Sequence, residues 1–259
     1  MKFSVSNIAW GDEYNDAVYA YLSKKHFNGI EIAPTRLFPD APYTHIREAV
    51  DYFDGVKTAY GLEVSSMQSI WYGQGGNIFH APSERDALRD YTFAAVDFAS
   101  AIGCHNLVFG CPKARHNERH CPEQDVYPFF QSISAYAHKR NTCIALEPNP
   151  VIYGTNFINT TPQAFDFCRA SGCEYLRVNV DLGTILYNNE AFDCVQEHIV
   201  LVNHIHISEP YLKKIEKRDL HRRIKALDFA GYVSIEMGRQ EDINDVFDVI
   251  DYTAEVFEL

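Results

Sequence analysis

Eight short runs rich in β-branched and large apolar residues recur along the chain, at 3–8, 29–33, 62–69, 105–110, 142–147, 175–181, 202–208 and 232–237. Their starts lie about 26 to 43 residues apart, enough for one strand, one helix and a loop. Between them the apolar spacing lengthens to the helical period, as in Ile46, Val50, Phe53 and Val56, or Leu88, Phe93, Val96 and Ala99. Strand then helix, repeated eight times, predicts an α/β fold: a single (β/α)8 barrel, for which about 250 residues suffice. The rival, an open doubly wound sheet, lacks its G-x-G-x-x-G fingerprint, because Gly73-Gln-Gly75-Gly76 leads into no immediate helix. No linker, low-complexity tract or shift in composition divides residues 1–259, so the whole chain is read as one domain.

Helix starts are expected at Thr44, at Ser83 with Asp86 three residues on, and at Thr161 followed by Pro162. Helix ends are expected at Asn28-Gly29, Gly61, Gly103, Gly172 and Gly231. The longest strand-to-helix connections are 70–82 and 111–123, where loops over a binding mouth belong.

The chain carries 23 Lys+Arg against 35 Asp+Glu, a formal charge of −12, which argues against a nucleic-acid binder and for small-molecule chemistry. Asp12 and Glu13 precede any apolar stretch that could serve as a signal peptide, and no run reaches the roughly 18 apolar residues of a membrane span. A cytoplasmic protein without a membrane partner is expected. Its seven cysteines are odd in number and form no Cys-x-x-Cys, so buried free thiols are expected rather than disulfides or a zinc ribbon.

The chemistry gathers at the ends of the last four strands. Strand alternation puts Glu147 on the face of Ala145, Asp181 with Asn179, His206 with His204, and Glu236 with Ser234. The large apolar residues between them would face the helices, leaving Glu147, Asp181, His206 and Glu236 at the carboxyl-terminal mouth of the barrel. Three carboxylates around one imidazole repel one another unless a cation neutralises them. One divalent metal is therefore expected, with Mn, Mg or Co favoured by the oxygen-rich set and Zn possible. His204, one layer deeper, is expected to support the site by hydrogen bonding, and Glu31 and Gln68 to point into the barrel in a structural hydrogen-bonding role.

Six segments carry a resemblance: Gly29-Ile-Glu-Ile32, Asn106-Leu-Val-Phe-Gly-Cys-Pro-Lys113, Ala145-Leu-Glu-Pro-Asn-Pro150, Val180-Asp-Leu-Gly183, His204-Ile-His-Ile-Ser-Glu-Pro210 and Ser234-Ile-Glu-Met237. They resemble the xylose-isomerase-like TIM barrel superfamily, which includes sugar-phosphate isomerases and epimerases, ketose 3-epimerases, inosose dehydratases and apurinic endonucleases. The resemblance implies a metal held by Glu147, Asp181, His206 and Glu236, with the two glutamates also acting as acid and base. It implies an isomerase or epimerase of a sugar, sugar phosphate or sugar derivative that abstracts a proton α to a carbonyl through a metal-stabilised enediolate. A lyase of the inosose-dehydratase kind, a hydrolase, or a metal-binding barrel without turnover are the alternatives. Thr184, Tyr153 and Leu212 stand where ketose 3-epimerases carry a His, a Glu and an Arg, so a free ketose substrate does not follow. The missing His, with the negative charge, also argues against an apurinic endonuclease.

Four further residues are expected to touch a carbohydrate substrate. Lys113 and Arg115 would hold an anionic group, Trp71 would stack on a ring, and Glu209 would orient the substrate or a supporting group. Pairing into a homodimer is compatible with an acidic barrel of this kind.

Overall fold

The computed structural model describes residues 1–259. Eight parallel strands close into a barrel: β1 (Lys2–Ser6), β2 (Gly29–Ile32), β3 (Glu63–Met67), β4 (Leu107–Phe109), β5 (Ile144–Leu146), β6 (Arg177–Asp181), β7 (Val202–Ser208) and β8 (Tyr232–Glu236). All eight expected strands are present, and β1 pairs with β8 through Ser4 and Ser234 to close the ring. Helices wrap the outside, the longest being Pro82–Ala101, Ile46–Tyr60 and Ile243–Phe257. No helix is long and apolar enough to cross a membrane.

Alternation along each strand divides two environments. Ile144, Leu146, Val178, Val180, Ile205, Ile207, Val233 and Ile235 are buried among the helices, as bulky residues in a parallel sheet should be. The opposite face is polar where such barrels are usually filled with branched apolar side chains. Ser4 bonds Ser234 (2.5 Å), Ser234 bonds His204 (2.7 Å), Gln68 donates to Ser6 (2.7 Å) and Asn106 donates to Ser66 (2.9 Å). These pairs satisfy one another across the barrel, so the interior can be polar without stranding its groups.

The helix ends follow the expected glycines at Gly61, Gly103 and Gly172, all with positive φ. At 28–29 the left-handed position falls instead on His26, and Gly29 is needed for space, since a Cβ there would meet the Glu63 carbonyl at 2.6 Å. The expected starts shift by one or two residues. His45 rather than Thr44 precedes Ile46–Tyr60, Pro82 rather than Ser83 opens its helix, and Thr160 rather than Thr161 caps Thr161–Ala170. Thr160 wins because Gln163 completes a capping box with it, its side-chain oxygen returning to the Thr160 backbone N–H at 3.1 Å.

Candidate functional site

Register assembles the site. Asp181 on β6 lies beside His206 on β7, and Ser208 on β7 lies beside Glu236 on β8. Glu147 follows β5 directly, its backbone N–H donating to the Phe109 carbonyl (3.1 Å) so that the strand direction continues. Glu147, Asp181, His206 and Glu236 are all buried, and one donor atom from each lies within 4.8 Å of the others.

Each is held by neighbours. His206 turns Nδ1 toward Glu147 (2.9 Å) and Glu236 (3.1 Å), and its Nε2 toward Glu31 (2.8 Å). Gln68 donates to the other oxygen of Glu31 (3.2 Å), fixing that carboxylate in turn. Thr184 grips Asp181 Oδ2 with both its backbone N–H and its hydroxyl (2.7 Å each), while Ser208 donates to Oδ1. The residue that replaces a histidine thus anchors a carboxylate. Asn179 donates to Glu147 Oε1 (2.7 Å) and Asn149 to Oε2 (3.0 Å), and Gly110 lies so close that a Cβ there would sit 2.7 Å from Oε2.

The electrostatics ask for a cation. Burial first, then the charges of Glu147 and Glu236, push the Asp181 carboxyl up to about 7. Burial pulls the His206 imidazole down, but Glu236 and Glu31 outweigh it and hold the ring well above its ordinary range. Burial and the neighbouring His206 keep His204 well below that range. Three carboxylates and one imidazole thus form a group that could hold a metal ion, and the Glu31 contact at Nε2 leaves His206 Nδ1 facing the carboxylates.

Above this set is a cavity of about 180 Å³, walled by Glu147, Asp181, Glu209 and Glu236 together with Asn149, Tyr153, Ser208, Leu212 and the loop residues Cys111 and Pro112. No Lys, Arg or His lines it. Glu209 differs from the other acids because Arg218 engages both its oxygens, at 2.6 and 2.5 Å, so its charge is already paired. Lys113 is exposed in an adjoining groove of about 540 Å³ that also carries Trp71 and Tyr72. Trp71 is mostly buried against Phe109 and Phe129, with its indole N–H donated to Thr92 (2.8 Å), whereas the next residue, Tyr72, is 71% exposed. Arg115 lies beneath the mouth, wholly buried and away from the cavity wall, so it is not placed to meet a substrate anion. Asn149 also joins the site, and the one signal for it in the sequence is its place two residues after Glu147, where strand alternation carried past β5 would put it on the same face.

A (β/α)8 barrel with acids and an imidazole gathered at the carboxyl ends of its strands defines the class of fold. Within that class, the family model of the xylose isomerase-like TIM barrel matches residues 20–255, and the chain belongs to this family. Among solved structures it is similar to a 3-keto-D-glucoside 4-epimerase from E. coli (18% identity, TM-score 0.78, all of both chains covered). It is similar also to a D-psicose 3-epimerase from Clostridium cellulolyticum H10 solved with D-tagatose (14% identity, TM-score 0.77, all of both chains covered). A probable 3-DHS dehydratase from Bacillus anthracis shares the architecture (16% identity, TM-score 0.69, 100% of this chain and 99% of that one). At these identities the likeness is one of fold, and the three carry more than one reaction on it. No curated protein sequence matches the chain.

Proposed function

We propose that the protein is a divalent-metal-dependent epimerase or isomerase of a carbohydrate, with Glu147 and Glu236 as its acid and base. The observation that carries this reading is the convergence of Glu147, Asp181, His206 and Glu236 beneath one small cavity. Epimerases on the same fold, acting on a keto-glucoside and on psicose, support it. A divalent ion in this set would polarise a substrate carbonyl and offset the negative charge that develops on its oxygen. Glu147 and Glu236 then divide the proton traffic: one takes the proton from the carbon α to the carbonyl, the other returns a proton to the opposite face. Asn149 and Asn179 keep the Glu147 carboxylate aimed, and Thr184 and Ser208 do the same for Asp181.

The wall restricts the substrate. No Lys, Arg or His lines the cavity, so nothing of the protein's own is placed there to hold a phosphate, and the reacting part is read as the uncharged carbonyl and hydroxyl end of the substrate. An anionic group further along the substrate would meet Lys113 in the outer groove, beside Tyr72. Seven free cysteines fit a reducing compartment, and we take the enzyme to be cytoplasmic.

Metal analysis by mass spectrometry on wild type, Glu147→Gln and Glu236→Gln tests the reading. We expect about one divalent ion per wild-type chain and weakened retention in both variants, followed by solvent deuterium entering a keto sugar without change of its formula. Loss of water from the sugar would move the assignment to a dehydratase. Metal-free protein under replete conditions, with the variants indistinguishable from wild type, would remove the metal site.

A further inference from the structure

Arg115 closes the short turn Pro112–Arg115 after β4, where an arginine would ordinarily reach solvent, yet it is 0% exposed. A buried guanidinium is costly unless its surroundings use it. Only Nη2 has hydrogen-bond partners, and both are neutral: the Glu147 backbone carbonyl (2.8 Å) and Asn149 Oδ1 (2.7 Å). Nε and Nη1 have none. Burial brings its pKa down to about 10, which still leaves a cation at neutral pH.

Both acceptors belong to the segment that carries Glu147. The Asn149 amide spans the gap between the two groups, with Oδ1 on Arg115 and Nδ2 donating to Glu147 Oε2 (3.0 Å). An asparagine can present either end of its amide, and a guanidinium, which only donates, accepts one choice. With Oδ1 held by Arg115, Nδ2 must face the carboxylate. On the other side Glu147 Oε1 is taken by Asn179 and His206.

We infer that Arg115 is a positioning residue: it orients the Asn149 amide and, through it, the carboxylate of Glu147. The Arg115 charge also lies within Coulombic reach of the Glu147 carboxylate. The inference rests on Glu147 as a metal ligand and acid/base group, and it deepens that reading.

The test is a cycle of Arg115→Met, Asn149→Ala and the double variant, with Mn2+ affinity measured by calorimetry, folding by circular dichroism and melting, and a metal-free crystal structure of Arg115→Met. Each single variant is expected to bind Mn2+ about 10- to 100-fold more weakly. The double variant should be no worse than the weaker single, since both act through one link. Arg115→Lys, which retains a cationic donor, should recover part of the loss; if Arg115→Met does not fold, Arg115→Gln, shorter and neutral, takes its place in the cycle and in the crystal. In the crystal, the Asn149 amide should have left Glu147 Oε2. A lowered melting temperature with wild-type Mn2+ affinity would make Arg115 merely structural, and additive losses would break the link to Asn149. If wild type itself binds no Mn2+, the metal reading fails separately. The Arg115→Met crystal structure then decides, and an unmoved Asn149–Glu147 pair overturns the inference.

Discussion

Glu147 is held on both oxygens, by Asn149 and Asn179 and by His206 at 2.9 Å, with Gly110 close enough that a Cβ there would meet Oε2. A carboxylate held on both oxygens can turn only by giving up one of these contacts, which makes the smallest possible addition at position 110 informative. Gly110→Ala would place a Cβ 2.7 Å from Oε2 and 3.4 Å from Asn149 Oδ1, at a position whose φ is not in the left-handed region. The fold should survive, because the clash falls on side-chain ends, but the carboxylate must turn. We expect Mn2+ affinity to drop about tenfold, by analogy with the loss of a group supporting a metal ligand, while the circular dichroism spectrum is retained. Wild-type affinity in this variant would show that Glu147 has room to move. The four residues at the base of the site could be read in the sequence because alternation in a parallel strand states which face each occupies. Partners could not be read in the same way. That Glu31 faces the barrel interior follows from alternation, but that it meets His206 across 175 residues of chain does not, and the burial of Arg115 depends on how a loop folds, which no periodicity encodes.

At the level of elements, all eight strands and their order were readable, since each has its own apolar run and the helices between them have their own period. Boundaries were less so. Thr160 and Thr161 are chemically identical candidates for one cap, and the choice was made by Gln163, three residues beyond Thr160. The consequence is measurable. Thr160→Ala should destabilise the protein by about 1 kcal/mol in urea unfolding, through loss of the bond from the Gln163 N–H (3.3 Å). Thr161→Ala should cost less, because the buried Thr161 hydroxyl has no hydrogen-bond partner to lose. The reverse ranking would return the cap to Thr161. The loops after β3 and β4 show the same division. Their length marked them as mouth-forming, and Cys111 and Pro112 do line the cavity, but only the fold reveals that Trp71 turns inward while Tyr72 turns out.

The whole molecule draws the last four strands together, and with them charge that would otherwise stay apart along an acidic chain of net −12. Folding without metal therefore binds protons. The Asp181 carboxyl, ordinarily at 3.8, is raised to about 7 by burial, Glu147 and Glu236, and the acids around His206 hold its imidazole well above 6.5 against the effect of burial. A group whose pKa is higher folded than unfolded stabilises the fold fully below its unfolded value, and that contribution disappears as pH rises through the folded one. For Asp181 the loss runs from about pH 4 to about pH 7, at up to about 1.4 kcal/mol per pH unit, and His206 extends it upward. On the proposed reading a divalent ion has the opposite preference, since it would compete with those protons for the same atoms. The melting temperature of metal-free protein should consequently fall between pH 5 and pH 8, while the increment given by saturating Mn2+ grows over the same interval. Asp181→Asn should flatten both trends, because an amide neither titrates nor offers an anionic ligand. Scanning calorimetry at the two pH values, with and without Mn2+, measures all four quantities. An increment of equal size at both would mean that metal and protons do not share the site built by Glu147, Asp181, His206 and Glu236.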